Sequence, residues 1–426
     1  AGLISHLIDR GEAALKARDY AEAIGLANEV LALEPNNGAF MDSLGWVYYK
    51  KGWLKKALKK LELATSLLPD DPVILDHLGD VYFDLKRWKA ARRAWQRSLK
   101  IDFKNKPEQA AIDIARVLDV FQAHNIRYFF YAGGNDSQDT ADKVNQEAQR
   151  RGYELRVIGV PKTIDNDLPH TDHCPGYGSV VRYNATTVME VGADVGSMAT
   201  DDGACSIIEV MGRAAGWIAA GTILAKREPA DPPHIILLPE IPLDEQAFLN
   251  RVKQTIDSLK YCVVVVGEGL KNASGEEIGA DESNLDAFGH PVLSGAAEKL
   301  AEMVKDTLDL KPRTVKLGYA QRAAAHAASE TDVEEAFACG EAAVRAAIEG
   351  ESGFMVKLVR QSDEPYMWGT ALQPLEDIAN QERVIPRDWI DAAGWLPNEK
   401  FITYARPLIQ GELHLPTEQG LPGFAR

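Results

Sequence analysis

The chain has 426 residues, of which 46% are hydrophobic and 26% charged, and its formal net charge is −16. This balance is typical of a soluble globular protein of two or three domains and excludes the fibrous and disordered classes. No apolar run approaches the roughly 20 residues of a membrane-spanning helix, and the negative charge disfavours nucleic acid and anionic membranes as partners. Because neither a secretory signal nor a disulfide framework is visible, a cytoplasmic protein is expected.

The N-terminal quarter of the chain repeats itself with a period of 34 residues. The recurring residues are glycines, alanines and prolines: Gly11, Gly45 and Gly79; Ala23, Ala57 and Ala91; and Pro35 and Pro69. Small residues let two helices approach closely, and proline ends a helix. The pattern resembles the tetratricopeptide repeat, which predicts an all-α domain of three helix pairs over residues 1–105. Such a domain either binds a peptide or protein partner in its groove or presents only packing residues and a solvated basic face.

From residue 106 onward, short β-rich runs alternate with helical stretches. The predicted strands are Arg127–Ala132, Leu155–Val160, Ser206–Val210, Ile235–Leu238 and Cys262–Val266, and the helices between them include Thr140–Arg150, Ala214–Ala225 and Gln246–Leu259. This alternation predicts an α/β fold with a parallel sheet that is covered on both faces. Ligands of such sheets bind beyond the carboxyl ends of the strands, so the loops at those ends are the candidate functional loops.

The loop after the first predicted strand contains the pair Gly133 and Gly134, followed by Asn135 and Asp136. Two glycines let backbone amides approach an anion, and Asp136 can hold a metal ion beside it. The same residues are also common in simple turns, so this loop by itself indicates a phosphate site only weakly.

The loop after the second predicted strand is more specific. Lys162, Thr163, Asp165 and Asp167 follow that strand within six residues. A cation and two carboxylates so close together at a strand end are costly unless a charged ligand or a metal ion neutralises them. This loop is therefore predicted to take part in catalysis.

Five segments together resemble the pyrophosphate-dependent branch of the phosphofructokinase family. They are the two loops just described and the later segments Glu209–Arg213, Val266–Glu268 and Gly318–Arg322. The resemblance extends in order from about residue 107 to residue 426. It implies a parallel-sheet phosphofructokinase body over residues 106–426 and a glycolytic phosphotransferase that uses pyrophosphate, fructose 6-phosphate and Mg²⁺.

The resemblance also implies roles for the two loops. Asp165 takes the proton from the 1-hydroxyl of the sugar, Asp167 lies beside it, and Thr163 helps to position the transferring phosphoryl group. Gly133, Gly134 and Lys162 bind the phosphate donor, and Asp136 lies near the Mg²⁺. In the ATP-using branch the positions of Lys162 and Asp136 are usually glycine, so the bulk and charge of these two side chains favour pyrophosphate.

A second set of residues is implied to bind fructose 6-phosphate. Met211, Gly212, Arg213 and Glu268 hold the sugar, and Arg313, Tyr319 and Arg322 hold its 6-phosphate. One or more of these residues is expected to come from a neighbouring subunit, which makes a homo-oligomer the expected assembly. An acidic body needs such local cations to bind a dianionic sugar phosphate.

One departure from the family concerns the donor site. Phosphofructokinases begin with a strand and a glycine-rich loop that receives the donor, whereas here the repeats occupy that stretch and Gly133–Gly134 is the only Gly-Gly pair. Slow turnover and an uncovered sheet edge are therefore expected. The alternative function is a non-catalytic assembly or peptide-binding protein, built from repeats on a body that lacks part of its donor site.

Overall fold

A computed structural model describes residues 17–69, 71–285, 291–293, 295–378 and 381–423, together with residues 7, 10, 11, 13 and 14. The chain divides into two compact units, one of residues 1–113 with 287–289, the other of residues 114–286 with 290–426. The division falls inside a helix. Within the described residues, no helix has the length and apolar character that crossing a membrane requires.

The first unit is helical, as predicted. Its helices are α1 (Tyr20–Leu33), α2 (Gly38–Lys50), α3 (Leu54–Leu67), α4 (Pro72–Asp84) and α5 (Trp88–Ala123), the last of which continues into the second unit. Side chains of Asp19, Asn37 and Asp71 accept hydrogen bonds from backbone amides at the starts of α1, α2 and α4. These caps satisfy amides that have no partner within the helix. The first helix of the first predicted pair lies mostly outside the described residues.

Two of the repeating glycines lie where helices approach most closely. A Cβ atom on Gly45 would lie 2.8 Å from Leu61 Cγ, and one on Gly79 would lie 2.2 Å from Trp95 Nε1. Both distances are shorter than any real contact, so a larger residue would push the helices apart. Close helix packing therefore explains why glycine recurs at positions 45 and 79.

Within the described residues, the second unit contains two four-stranded sheets, two two-stranded sheets and the surrounding helices. The strands are β1 (Tyr128–Gly133), β2 (Arg156–Pro161), β3 (Ala204–Val210), β4 (Ile235–Leu237), β5 (Tyr261–Gly267), β6 (Ala280–Leu285), β7 (Pro291–Leu293), β8 (Arg313–Lys316), β9 (Phe354–Asp363), β10 (Tyr366–Pro374), β11 (Thr417–Glu418) and β12 (Leu421–Pro422). The α-helices are α6 (Asn135–Arg150), α7 (Tyr177–Ser197), α8 (Trp217–Gly221), α9 (Glu245–Leu259), α10 (Ala296–Leu308), α11 (Ala320–Ala323), α12 (Glu330–Glu349) and α13 (Glu399–Ala405). Short 3₁₀ turns span Thr222–Ala225, Ala325–Ala327, Leu375–Asp377, Arg387–Trp389 and Arg406–Ile409.

The parallel sheet predicted from the sequence is present as two four-stranded sheets. The first has the strand order β1-β2-β9-β10 and the second the order β4-β5-β3-β8. All neighbours are parallel except β9 and β10, which form an antiparallel pair at one edge. The five predicted strands are confirmed, with ends shifted by one or two residues. Their carboxyl ends carry the predicted loops.

Strand β1 forms an edge of the first sheet and exposes aromatic side chains. Tyr128 is 52% exposed and Phe130 is 38% exposed. Phe130 pairs with Ile158 of β2, which packs against α12 on the same face of the sheet. Helix α12 itself exposes Phe337 and Ile348 on its outer surface. Unpaired edges beside apolar surface favour association with another chain.

We expect the substitutions Tyr128→Lys and Phe130→Lys together to shift the protein toward smaller species, because charges on an edge strand oppose edge pairing. Analytical ultracentrifugation across a concentration series measures this shift. The exposed Leu421 on β12, changed to lysine, is the control for added charge alone. An unchanged distribution of species in the double variant would mean that association does not use this edge.

Candidate active site

The first candidate loop connects β1 to α6 through a close backbone approach. A Cβ atom on Gly133 would lie 2.0 Å from Ser137 Oγ, so only glycine fits at this position. Helix α6 begins immediately afterwards at Asn135, and Asp136 lies exposed in its first turn. The free amides at this helix start attract an anion.

The second candidate loop meets the first. The backbone amide of Lys162 donates to Gly133 O at 3.2 Å. Asn135 Nδ2 donates to Asp167 Oδ2 at 3.1 Å. A Cβ atom on Gly134 would lie 3.5 Å from Thr163 Cβ, in ordinary contact. The parallel pairing of β1 with β2 brings the two loops to one sheet edge, as the sequence predicts.

Asp165 lies at the centre of the charged groups. Burial and, to a lesser extent, the nearby Asp167 carboxylate raise the pKa of Asp165 to about 6, against the opposing charges of Arg213, Lys162 and Arg322. Its backbone amide donates to Thr163 Oγ1 at 3.1 Å. A carboxyl group with a pKa near 6 is ionised at neutral pH and still basic enough to accept a proton.

Glu268 follows the carboxyl end of β5 and faces the same region. Burial raises the pKa of Glu268 to about 7, and the charge of Asp165 adds to the shift. A hydrogen bond from the Gly212 backbone and the charge of Arg213 oppose it. At neutral pH this carboxyl group is therefore present in both protonation states, and its protonated form can donate a hydrogen bond.

Three buried oxygen atoms in these loops have no hydrogen-bond partner within the described residues. They are Asp165 Oδ1, Asp167 Oδ1 and Asn135 Oδ1. Such acceptors are costly to bury unless a donor or a cation binds them. No group of three histidine, cysteine or acidic side chains among the described residues is arranged to hold a metal ion alone. The unpartnered oxygens fit Mg²⁺, which is usually held by one or two carboxylates together with substrate phosphates and water.

The predicted sugar-binding segments are joined by Gln321, a residue that the sequence analysis did not identify. Gln321 Oε1 accepts hydrogen bonds from the Met211 backbone amide at 3.3 Å and from Asn184 Nδ2 at 3.0 Å. Gly212 adopts φ 121°, a conformation that favours glycine, and so turns the chain after β3. This link holds the segment of Arg213 beside that of Arg322.

The predicted phosphate-binding residues fall into two groups. The guanidinium of Arg322 lies 4.5 Å from the Tyr319 ring centroid, and Tyr319 is 72% exposed. Arg313, in contrast, is the first residue of the edge strand β8. It pairs with Ser206, four residues before the carboxyl end of β3. Its guanidinium contacts Met198 Sδ at 3.2 Å. Arg313 therefore does not join the other site residues within one chain.

Comparison with known proteins identifies the family. Residues 95–347 match the model of the phosphofructokinase family. This chain is a phosphofructokinase. Its two candidate loops and its two four-stranded sheets are therefore to be understood in terms of that family's fold.

Named relatives of this phosphofructokinase are mainly pyrophosphate enzymes. The pyrophosphate–fructose 6-phosphate 1-phosphotransferase of Halomonas elongata is 48% identical over 311 residues, which are 73% of this chain and 74% of the relative. The enzyme of the same name from Methylococcus capsulatus is 44% identical over 74% of this chain and 75% of its own. The crystal structure of the pyrophosphate-dependent phosphofructokinase from Marinobacter aquaeolei is 45% identical, with a TM-score of 0.67 over 74% of this chain and 75% of that chain.

Proposed function

We propose that this chain transfers a phosphoryl group from pyrophosphate to the 1-hydroxyl of fructose 6-phosphate. The single observation that carries the proposal is the buried Asp165 carboxyl, with its pKa raised to about 6, among the charges of Lys162, Arg213 and Arg322. Phosphoryl transfer needs positive charge around the transferring group and one base for the attacking hydroxyl, and this cluster supplies both.

Asp165 acts as the base of the reaction. Its carboxylate takes the proton of the 1-hydroxyl as the sugar oxygen forms a bond to the terminal phosphorus of pyrophosphate. The bond from that phosphorus to the bridging oxygen breaks, and phosphate leaves. Lys162 and the amides at Gly133 and Gly134 hold the donor, and Thr163 orients it.

Fructose 6-phosphate binds on the side of Asp165 that lies opposite the phosphate donor. Arg213, with the backbone of Met211 and Gly212, faces the sugar, and the protonated form of Glu268 donates to one of its hydroxyl groups. Tyr319 and Arg322 bind the 6-phosphate. Because Arg313 stands apart within one chain, we propose that it completes the pocket of a neighbouring subunit in a homo-oligomer.

Mg²⁺ supplies positive charge to the phosphates when it is bound. The exposed Asp136 carboxylate would hold it, next to the partnerless oxygen of Asn135.

A coupled assay tests the proposed function. Fructose 6-phosphate and Mg²⁺ are supplied with either pyrophosphate or ATP, and formation of fructose 1,6-bisphosphate is followed. Turnover with pyrophosphate in preference to ATP supports the proposal. Fructose 6-phosphate binding without turnover by either donor would favour the non-catalytic alternative.

We expect Arg213→Ala and Arg322→Ala each to weaken fructose 6-phosphate binding by roughly 10- to 150-fold, since a charge-assisted phosphate contact contributes about 1.5–3 kcal/mol. Isothermal titration calorimetry measures the affinity. Arg345→Ala, on the exposed side of α12, is the matched control and should bind normally. Unchanged affinity in both test variants would reject the proposed pocket.

A groove in the first unit supports a second function, the binding of a partner. We propose that residues 1–105 form a tetratricopeptide repeat domain and residues 106–426 the phosphofructokinase domain. A cavity of about 450 Å³ in the first unit is lined mainly by apolar residues of α1 and α2. At its wall His77 Nδ1 lies 2.9 Å from Asp42 Oδ1, and Trp46 stacks on His77 at 3.8 Å. The groove suits a peptide with an apolar side chain.

A displayed peptide library tests this second function. The full chain and its Phe40→Glu variant, which places a charge in the cavity wall, are screened in parallel. Sequences with a shared apolar residue that bind the first protein and not the second support a binding groove. Equal retention by both proteins would exclude it.

A further inference from the structure

The loop that carries Asp165 and Asp167 has an irregular backbone. Two of its residues other than glycine, Asn166 and His170, adopt positive φ values of 56° and 62°. Such conformations persist only when surrounding groups hold them. The question is which residues outside the loop do so.

Arg383 donates four hydrogen bonds to this loop from outside, all of them to backbone carbonyl oxygens. Its backbone amide donates to Asp167 O at 2.8 Å. Its guanidinium donates to Asn166 O at 3.1 Å, to Thr171 O at 2.8 Å and to Asp172 O at 2.6 Å. One side chain therefore bridges both ends of the segment 166–172, which a lysine ammonium, as a single point charge, cannot reproduce.

Tyr404 completes the support from α13. Its hydroxyl donates to Asp172 O at 2.9 Å and accepts from Asn166 Nδ2 at 2.9 Å. Trp217 packs against the guanidinium of Arg383, with its ring centroid 4.6 Å away, and its Nε1 donates to Arg383 O. These contacts fix the orientation of the arginine.

Arg383 is a buried cation whose guanidinium donates to three loop carbonyl oxygens and, at 3.3 Å, to the Tyr404 hydroxyl. Within the described residues, it forms no ion pair with a carboxylate. Burial raises the pKa of Asp167, and the nearby charge of Arg383 opposes that rise. A buried charge is costly without compensation. Here the loop carbonyls and the nearby Asp167 carboxylate provide that compensation, so the charge and the loop stabilise each other.

We infer that Arg383 is a positioning residue for the reaction. Its guanidinium fork holds the segment 166–172 so that Asp165 and Asp167 face the substrates, and Tyr404 assists it. The expected effect on turnover rests on the proposed function. The expected effect on the conformation of the loop does not.

Steady-state kinetics with Arg383→Lys tests the catalytic consequence. We expect kcat to fall about 10- to 100-fold, because a misplaced base loses alignment with the hydroxyl, while KM for fructose 6-phosphate changes little. Arg383→Gln should lower kcat by a similar factor, again with little change in KM for fructose 6-phosphate. The matched control is Arg387→Lys, because Arg387 also donates to backbone carbonyls, those of Ile390 and Asp391, outside this loop.

Hydrogen exchange of the full chain tests whether Arg383 holds the loop in place, and this measurement requires no turnover. Amides in 162–172 should exchange faster in Arg383→Lys, with other segments and the control unchanged. If the wild type does not use pyrophosphate, the proposed function fails and the exchange result alone decides the inference. Unchanged kcat with unchanged exchange would overturn it, as would an increase spread evenly over the domain. If Arg383→Lys does not fold, Tyr404→Phe replaces it, with faster exchange in the same segment expected and an unchanged segment overturning the inference.

Discussion

Replacement of Asp165 by asparagine should lower turnover by about 10²- to 10⁴-fold, because the amide cannot accept the proton of the attacking hydroxyl. The side chain keeps its size, and the cations that bind the sugar phosphate remain in place. Affinity for fructose 6-phosphate should therefore stay close to that of the wild type. Stopped assays with pyrophosphate give the turnover, and calorimetry gives the affinity.

The pH dependence of the wild-type enzyme belongs to the same prediction. Burial and the Asp167 charge raise the pKa of Asp165 to about 6, and the base acts only when it is deprotonated. Activity should therefore be lost as the pH falls through about 6 and regained as the pH rises above it. Asp306→Asn, an exposed change on α10, is the control. Turnover of Asp165→Asn equal to that of the wild type would mean that another group is the base.

Changing Lys162 to alanine should lower kcat/KM for pyrophosphate by roughly 10- to 150-fold, the effect of losing one charge-assisted phosphate contact of about 1.5–3 kcal/mol. The exposed Lys162 side chain follows β2 directly and lies near Asp165, whose pKa it lowers. Because alanine also removes bulk, the ratio of ATP to pyrophosphate use should rise, and adding Asp136→Gly should raise it further.

Competition assays with the two donors measure that ratio. Lys305→Ala, on the exposed face of α10, controls for the loss of one positive charge. The family contains both kinds of enzyme, since a relative from Mycobacterium bovis that is 31% identical is named an ATP-dependent 6-phosphofructokinase. A wild type that uses ATP and ignores pyrophosphate would show that Lys162 and Asp136 do not select the donor.

Local sequence was sufficient to predict the strands and to place the two candidate loops at one edge of the sheet. The run before Gly133 and the run before Lys162 are short, apolar and bounded by turn residues, and parallel strands place their following loops at one edge. The meeting of Asn135 with Asp167 follows from that rule alone. The 34-residue period was also visible in the local sequence, because Gly45 and Gly79 recur where the next helix leaves no room for a Cβ atom.

Other features depended on residues far apart in the chain. Strands β9 and β10 were not among the predicted strands, and β9 pairs with β2 across nearly two hundred residues. Gln321 lies in a motif segment but was given no role, and Arg383 lies outside all of them. The structural role of both arises from the backbone atoms that they reach. The separation of Arg313 from Arg322, only nine positions away, is set by the strand register.

The sequence by itself determined the family of this phosphofructokinase, because the segments that carry the resemblance are short and local. Only the tertiary structure decided how those segments are held in place. The raised pKa values of Asp165 and Glu268 come mainly from burial. The nearby carboxylates add to the shift: Asp167 for Asp165, and Asp165 and Glu209 for Glu268. The hydrogen bonds from Arg383 to the loop after β2 come from more than two hundred residues away, because buried carbonyls must find donors wherever the fold brings them.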